Sequence, residues 1–260
     1  MYTPWCILGL GFLAGHSWIV SGNAVKFKES RIAFGTPALP GSAPHQASLR
    51  PTNNPTFVSC GAVIISQCHI LTAAHCNFCA GGNCFLGYGN NDKTLQTRVK
   101  IESFTPHSDY VLQPTSGQGI TLIQNDIAII KLPQGSYITP NANAGPIDLN
   151  TVEIPIGGQV TITGWGVTNL GLSPNYLLQA SMQVKACPAS QNNWIYFYCI
   201  TSLLSGSCPG DSGGPMVYQN RLAGITSYGS PCGNPNANDG YSKINVYVPW
   251  INARIAENPC

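Results

Sequence analysis

The chain has 260 residues, of which 43% are hydrophobic and only 8% are charged, and it contains 28 Gly and 20 Pro. This length allows one or two domains with a sizeable core, and the apolar content is too high for an intrinsically disordered chain. The formal net charge of +2, without a run of Lys or Arg, argues against nucleic acid or an anionic membrane as a partner.

The N-terminus has features of a secretion signal. Residues 5–14 are apolar but far fewer than the roughly 20 that a membrane-spanning helix needs, and the small residues Gly15 and Ser17 follow. The eleven cysteines are typical of an oxidising compartment. Cleavage after a signal peptide of residues 1–17 removes Cys6 and leaves ten of the eleven cysteines, an even number. The alternative is a buried N-terminal strand with a free thiol. The short apolar segment and the cysteine count together predict a secreted, extracellular protein.

Many short β-branched runs, separated by Gly, Pro and Asn, follow along the rest of the chain. They include residues 62–65, 97–101, 127–130, 160–163 and 222–225. Such runs predict an all-β sandwich or barrel. A stretch rich in Asn, Ala and Gly at 140–146 indicates a connector between two β units. The clearest helix is the last segment, where Val248, Ile251 and Ile255 share one face and Pro249 is expected in the first turn.

Two segments in the first half of the chain carry candidate catalytic side chains. Thr72-Ala73-Ala74-His75-Cys76 contains a histidine, whose ordinary pKa suits a general base near pH 7. Asp126 stands at the start of the apolar run 127–130, where a buried carboxylate needs a donor such as an imidazole N–H. Taken singly, the histidine could be structural and the aspartate a cap of a strand or helix.

Gly210-Asp211-Ser212-Gly213-Gly214-Pro215 is the most informative stretch. Amide hydrolysis requires an activated nucleophile and donors for the oxyanion that develops. Glycines on both sides of Ser212 allow a tight turn, so that the hydroxyl projects and neighbouring N–H groups converge. A simple glycine-rich loop is the alternative, but the full hexapeptide is much more restrictive than a serine between glycines.

In the order His75, Asp126, Ser212, these segments resemble the chymotrypsin-like (trypsin-type) serine proteases, and the resemblance covers essentially residues 32–258. Other matching segments are Arg31-Ile32-Ala33-Phe34-Gly35, Cys60-Gly61-Ala62, Thr163-Gly164-Trp165-Gly166, Ser207-Cys208-Pro209-Gly210 and Tyr247-Val248-Pro249-Trp250-Ile251. The resemblance implies an all-β fold of two six-stranded antiparallel Greek-key barrels with a C-terminal helix.

The resemblance also implies the role of each site residue. Ser212 would be the nucleophile, His75 its base and Asp126 the group that orients His75. The N–H groups of Gly210 and Ser212 would form the oxyanion hole.

The resemblance further divides the chain into segments. These are a signal peptide at 1–17, an activation propeptide at 18–31 and a protease domain at 32–260, with barrel 1 at about 46–135, barrel 2 at about 151–242 and the helix at about 247–257. Cleavage between Arg31 and Ile32 would free an α-amino group to pair with Asp211. Ala33 and Phe34 depart here from the usual Val-Gly of the family.

The cysteines imply five disulfides in the mature chain. The resemblance assigns Cys60–Cys76, Cys187–Cys199 and Cys208–Cys232. Cys79 and Cys84 flank four residues and could close a small loop, and elimination then leaves Cys68–Cys260. A metal site of the CxxC type at Cys76 and Cys79 is an alternative. Tyr88 falls where the family's calcium loop has an acidic ligand, so we expect no metal and no cofactor.

The specificity pocket departs from that of trypsin-like members, which carry an Asp six residues before the nucleophile. Gly206 has that position here, Ser227, Tyr228 and Gly229 match the pocket wall, and Asp239 is expected on the far side. This pattern resembles arthropod chymotrypsins and collagenolytic proteases. It implies aromatic or Leu substrates, together with basic ones that reach the wall carboxylate. The alternative is that Asp239 caps a surface turn.

The sequence therefore predicts a secreted serine endopeptidase made as a zymogen. Its expected partners are protein or peptide substrates, an activating protease that cleaves after Arg31, and protein inhibitors, with the enzyme itself a monomer. A catalytically silent homologue that acts as a binding protein is the alternative, although the intact triad and Asp211 argue against it. A structural cysteine-rich domain would not explain the triad.

Overall fold

The computed structural model describes residues 35–114, 121–168, 171–187, 195–201, 206–229 and 238–260. The signal peptide and propeptide expected at 1–31, together with Arg31, Ile32 and Cys232, lie outside the described residues. Within the described ranges almost all of the regular secondary structure is β-strand, and the last element is an α-helix. The prediction of an all-β fold with a C-terminal helix is confirmed.

Sixteen strands, one 3-10 helix and one α-helix follow one another along these ranges. In chain order they are β1 (Thr36–Pro37), β2 (Gln46–Pro51), β3 (Cys60–Ile64), β4 (His69–Thr72), a 3-10 helix (Asn77–Gly82), β5 (Cys84–Tyr88), β6 (Thr97–Lys100), β7 (Ser103–Pro106), β8 (Val111–Pro114), β9 (Thr121–Gln124), β10 (Ala128–Lys131), β11 (Gln159–Gly164), β12 (Leu178–Lys185), β13 (Phe197–Thr201), β14 (Pro215–Tyr218), β15 (Arg221–Tyr228), β16 (Asp239–Lys243) and α1 (Ile244–Glu257).

The first sheet is antiparallel, with the strand order β6-β5-β2-β3-β4-β10-β7. Its two edge strands, β6 and β7, are separated in the chain only by Ile101 and Glu102. Since two residues span only about 7 Å, the sheet must curl until its edges meet. The Ile101 N–H donates to the Cys84 carbonyl at 3.2 Å and the Glu102 N–H to the Lys131 carbonyl at 2.9 Å. One of the six strands expected for this barrel is thus divided into two at this bend.

The second sheet closes into a six-stranded antiparallel barrel. Its order is β12-β11-β14-β15-β16-β13, and β13 pairs back with β12. The short strand β1 adds to β12, with Thr36 opposite Gln179. The first described strand therefore belongs to the second barrel, although it precedes the strands of the first barrel in the chain.

Each barrel has its own apolar core. Ala47 and Leu49 on β2 belong to the first core, and Met182 and Tyr198 belong to the second. The alternate residues of β2, Gln46, Ser48 and Arg50, point to the opposite face because side chains alternate along a strand. These three polar residues are nevertheless buried, with Arg50 only 1% exposed. Other chain segments must therefore cover this outer face of the first barrel.

Helix α1 packs on the first core through Ile244, Tyr247 and Ile251. These residues are spaced by three and four positions and so form one face. The helix begins at Ile244, three residues earlier than expected, so Pro249 lies in the second turn and not the first. Burial of Ile244 and Tyr247 on the barrel explains this earlier start. Among the described residues, no helix has the length and apolar character needed to cross a membrane.

Four disulfides join described cysteines. They are Cys60–Cys76, Cys68–Cys260, Cys79–Cys84 and Cys187–Cys199. Cys76 and Cys79 are each bonded to another cysteine, so the alternative of a metal site at these two residues is wrong. Cys208 is buried. The disulfide to Cys260 ties the residues after α1 to the start of β4.

Candidate active site

His75 and Asp126 are held together by two hydrogen bonds. The backbone N–H of His75 donates to Asp126 Oδ1 at 2.9 Å, and Nδ1 of its ring lies 2.8 Å from Oδ2. Asp126 is fully buried, whereas the His75 side chain is 25% exposed. Because a carboxylate accepts a proton-bearing Nδ1, the lone pair of the neutral ring lies on Nε2. The arrangement fixes both the tautomer and the direction of the imidazole.

Two serines of the second barrel complete the surroundings of Asp126. The Ser227 hydroxyl donates to Asp126 Oδ2 at 2.5 Å, and the Ser242 hydroxyl donates to the Asp126 carbonyl at 2.8 Å. Ser227 was expected in the pocket wall, but its hydroxyl is directed at Asp126. Ser242 was not singled out in the sequence, where no motif marks it. These bonds satisfy buried oxygen atoms of Asp126 and join the two barrels behind the site.

Asn125 shapes the turn that delivers Asp126. Its backbone has φ of 50°, in the left-handed region that Asn tolerates better than most residues. Its side-chain amide donates to the Asp109 carbonyl at 2.8 Å and accepts from the Tyr247 hydroxyl at 3.2 Å. The turn is therefore anchored on both sides immediately before the buried carboxylate.

Ser212 lies in a glycine turn that approaches the first barrel closely. Gly210 and Gly213 have φ of 98° and 80°. A Cβ on Gly213 would lie 2.2 Å from Thr72 Oγ1, so a larger residue does not fit there. The Ser212 carbonyl accepts from the Gly61 N–H at 2.7 Å. This bond brings the turn to the strand that carries Cys60, whose disulfide partner Cys76 follows His75.

No hydrogen bond joins Ser212 Oγ to His75 among the described residues. Such bonds are often long before substrate binds, so the arrangement remains compatible with a nucleophile and its base.

The backbone donors around Ser212 divide into two groups. The N–H groups of Asp211, Gly213 and Gly214 donate to carbonyls of the protein at 2.8–2.9 Å. Within the described residues, the N–H groups of Gly210 and Ser212 have no protein acceptor. Two neighbouring unused donors on a rigid turn can stabilise a developing oxyanion.

Asp211 is buried beside this turn. Its Oδ1 accepts from the Gly166 N–H at 2.8 Å and its Oδ2 from the Cys208 N–H at 3.0 Å. A Cβ on Gly164 would lie 2.0 Å from Oδ1, so glycine is needed at this approach. Burial, reinforced by the charge of Asp239, raises the pKa of Asp211 to about 7. No cation of the described residues pairs with it.

Asp239 lies between the backbones of two glycines of the expected pocket. A Cβ on Gly206 would be 3.1 Å from its Oδ2, and one on Gly229 would be 2.9 Å from its Oδ1. The Ser207 N–H donates to Oδ2 at 2.5 Å. Asp239 is 4% exposed and begins strand β16, so it does not cap a surface turn.

Tyr228, which the sequence predicts in the pocket wall, packs on Gly240. A Cβ at Gly240 would lie 2.0 Å from the Cζ of the Tyr228 ring. The ring also meets the ring of Phe197 edge to face, with their centroids 5.4 Å apart.

Comparison with known protein families places this site in context. The family model described as Trypsin matches residues 32–251, most of the chain. The chain belongs to the trypsin family. It is 33% identical to brachyurin from Leptuca pugilator over 248 residues, covering 88% of this chain and 100% of that protein. It is 32% identical to kallikrein 1-related peptidase b22 from Mus musculus, covering 89% and 92% of the two chains.

A solved structure shows the same fold. Neuropsin, a serine protease expressed in the limbic system of mouse brain, matches with a TM-score of 0.73 and 27% identity. The match covers 85% of this trypsin-family chain and 98% of the neuropsin chain. The chain is thus a serine-type endopeptidase of the trypsin family.

Proposed function

We propose that this trypsin-family endopeptidase is secreted as a zymogen and cleaves protein and peptide substrates through an acyl-enzyme on Ser212. The single observation that carries the proposal is the pair of hydrogen bonds from His75 to the buried Asp126. They leave Nε2 as the basic atom of a fixed imidazole.

The chemistry follows from these positions. His75 Nε2 accepts the proton of the Ser212 hydroxyl while Oγ attacks the carbonyl carbon of the scissile bond. The imidazolium that forms is stabilised by Asp126, and the oxyanion is stabilised by the N–H groups of Gly210 and Ser212. His75 then gives the proton to the leaving amine, which releases the first product. A water molecule, activated by the same imidazole, hydrolyses the ester and restores Ser212.

Activation would depend on the charge of Asp211. Its buried carboxylate has a pKa raised to about 7 and pairs with no cation of the described residues. Cleavage after Arg31 by an activating protease would free the α-amino group of Ile32, and a cation of this kind is what a buried carboxylate requires. The new ion pair would hold the turn that carries Gly210 and Ser212. The active enzyme would act as a monomer and be subject to protein inhibitors.

The pocket favours a broad or chymotrypsin-like preference for the residue before the scissile bond. Gly206 and Gly229 contribute no side chain to the expected pocket, and the Tyr228 ring supplies an apolar surface beside it. The Asp239 carboxylate lies between the two glycines, where the cation of an Arg or Lys substrate could meet it. We therefore propose aromatic and Leu substrates together with basic ones.

Covalent labelling tests the catalytic proposal. Protein cleaved at Arg31 should react with an organophosphonate probe, and the Ser212→Ala variant should not, because only an activated serine hydroxyl attacks the phosphorus. Intact mass measurement reports the adduct. If confirmed cleavage gives no Ser212-dependent labelling, the catalytically silent homologue becomes the better description.

Replacing Asp239 with Ala tests the pocket. We expect kcat/KM for Arg peptide substrates to fall by about 10²-fold, because a buried charged hydrogen-bonded pair loses one partner. Rates on Phe and Leu peptides should change by less than about fivefold, since apolar contacts carry their binding. The isosteric Asp239→Asn variant keeps the shape and removes the charge. If both variants cleave Arg peptides as the wild type does, Asp239 is not a specificity residue.

A further inference from the structure

Arg50, which the catalytic site does not use, is a buried cation on the outer face of the first barrel. It is 1% exposed and lies near the end of β2, on the face opposite the apolar core. No carboxylate of the described residues pairs with it. Burial and the nearby charge of Arg98 lower the pKa of Arg50 to about 10, so the guanidinium remains charged at neutral pH.

The guanidinium is bound by neutral oxygen atoms only. It donates to the Lys93 carbonyl at 2.6 Å, Gln96 Oε1 at 2.7 Å, the Pro55 carbonyl at 3.1 Å and Ser48 Oγ at 3.3 Å. An uncompensated buried charge is costly, and converging carbonyl and amide oxygens are the groups that offset it. Such oxygens are also the ligands that hard metal cations take. The acceptors therefore form an oxygen shell with a guanidinium at its centre.

A glycine leaves the room that this shell needs. A Cβ on Gly87 would lie 2.5 Å from Gln96 Oε1, 2.7 Å from Ser48 Oγ and 3.0 Å from Arg50 Nε. Ser48 Oγ also donates to Gln96 Oε1 at 2.7 Å. The network is thus closely packed and buried, although it lies outside the apolar core.

The loop held by Arg50, residues 90–96, contacts four residues that lie between β11 and β12, namely Trp165, Ser173, Asn175 and Leu177. The Lys93 N–H donates to the Asn175 carbonyl at 2.8 Å, and Lys93 Nζ donates to Ser173 Oγ at 2.6 Å. The Asn91 carbonyl accepts from the Leu177 N–H at 2.8 Å and from Trp165 Nε1 at 2.9 Å. The loop is therefore a bridge between the two barrels.

This bridge ends one residue from the group that fixes Asp211. Trp165 precedes Gly166, whose N–H donates to Asp211 Oδ1. Asp211 in turn precedes Ser212, and the proposed ion pair with Ile32 depends on where this carboxylate lies. Hydrogen bonds and short lengths of backbone thus connect Arg50, through loop 90–96 and Trp165, to Asp211.

We propose that Arg50 is a built-in cation that holds loop 90–96 without a metal ion and positions the Trp165–Gly166 segment for Asp211. Arg50 is a positioning residue, since it touches neither substrate nor the reacting atoms. Tyr88, where the family's calcium loop has an acidic ligand, agrees with a loop that needs no ion. The activity part of the proposal rests on the proposed role of Asp211, whereas the loop part does not.

The loop part is tested on the Ser212→Ala protein, which cannot digest itself. Its Tm should be the same in EDTA as in millimolar CaCl₂, because the site is already filled by the guanidinium. The Arg50→Gln variant should lose about 5 °C or more in Tm and become open to added protease within residues 90–96. Arg98→Gln, on an exposed neighbour in the same sheet, should do neither. Gln96→Leu, which removes one acceptor, should give a smaller Tm loss with the same cleavage site.

The activity part is tested on the cleaved enzyme. Arg50→Gln should lower kcat more than it raises KM, and it should move the alkaline limb of the kcat/KM profile to lower pH while the acid limb stays in place. If the position of the Asp211 carboxylate is less well fixed, its ion pair with the α-ammonium of Ile32 is weaker. The amine would then lose its proton at lower pH. Arg50→Lys, which keeps the charge, should restore part of the shift.

Two results would overturn the proposal. One is a rise in the Tm of the Ser212→Ala protein on adding CaCl₂, which would mean that the loop binds a metal ion. The other is a Tm and a protease resistance unchanged from the Ser212→Ala parent in both Arg50→Gln and Gln96→Leu. Loss of Ser212 labelling in the wild type would instead refute the proposed function, and the Tm and cleavage results on Arg50 would be unaffected. An unshifted pH profile would restrict Arg50 to holding the loop and refute its action on Asp211.

Discussion

Replacing Asp126 with Asn should lower kcat by about 10⁴-fold with little change in KM, the loss known for the aspartate of this triad. The Asn amide group must present an N–H where the carboxylate now accepts from the His75 backbone or ring. If it faces the ring, Nδ1 loses its acceptor and the ring proton moves to Nε2. His75 then cannot accept the proton of Ser212. Steady-state kinetics on a peptide substrate measures the change.

Two further variants separate charge from local structure. Ser227→Ala removes one donor to Asp126 but leaves both bonds to His75, so we expect a loss of only about tenfold, near the net value of one hydrogen bond to a charged group. Asp148→Asn makes the same chemical change at an exposed ion pair with Arg221 and should leave kcat unaltered. An Asp126→Asn enzyme within tenfold of the wild type would refute the assigned role of Asp126.

The catalytic residues could be singled out from the sequence because each lies in a short segment whose local backbone matters. Ser212 stands among glycines that its turn requires, and Asp126 begins an apolar run that buries it. Ser242 has no such local mark. Its contact with the Asp126 carbonyl joins residues 116 positions apart, and only the closure of the second barrel creates it.

The burial of Arg50 is a second feature that the sequence does not predict. A charged residue at the end of a strand is usually exposed, and alternation along β2 places it on the face away from the core. Arg50 is buried because loop 90–96 folds over that face, and the sequence of β2 does not indicate this burial. The start of α1 is a similar case. Pro249 suggests a first turn near residue 247, but packing of Ile244 on the barrel moves the start earlier.

Replacing Asp211 with Asn should have opposite effects on the uncleaved chain and on the cleaved enzyme. The first effect concerns the stability of the uncleaved chain. Burial raises the pKa of Asp211 from 3.8 to about 7, so the carboxyl group favours folding below pH 4 and this contribution is lost as the pH rises through 7. This rise of the pKa corresponds to about 4 kcal/mol of folding free energy. In uncleaved Ser212→Ala protein, the free energy of unfolding should therefore fall by several kcal/mol between pH 4 and 8 relative to the Asp211→Asn version.

The comparison of the two chains isolates Asp211 from the other titrating groups. Burial lowers the pKa of His45 to about 4, so His45 destabilises both chains as the pH falls from 6.5, which is the opposite trend. Its effect cancels in the difference between the two denaturation curves. Asp148→Asn, at an exposed carboxylate, should reproduce the wild-type pH dependence. Identical curves with and without the Asp211→Asn substitution would show that the carboxylate already has a counter-charge before cleavage.

Cleavage should reverse the sign of the effect. Once Ile32 carries a free ammonium, the ionised Asp211 gains a partner, and its charge stabilises the folded enzyme where before it opposed folding. Cleaved Asp211→Asn cannot form this pair, so the turn with the N–H groups of Gly210 and Ser212 loses its anchor. Misplaced oxyanion donors should lower kcat by about 10²–10³-fold. A cleaved Asp211→Asn enzyme within tenfold of wild-type kcat would mean that the active turn forms without the ion pair, and cleavage at Arg31 would then have to act elsewhere.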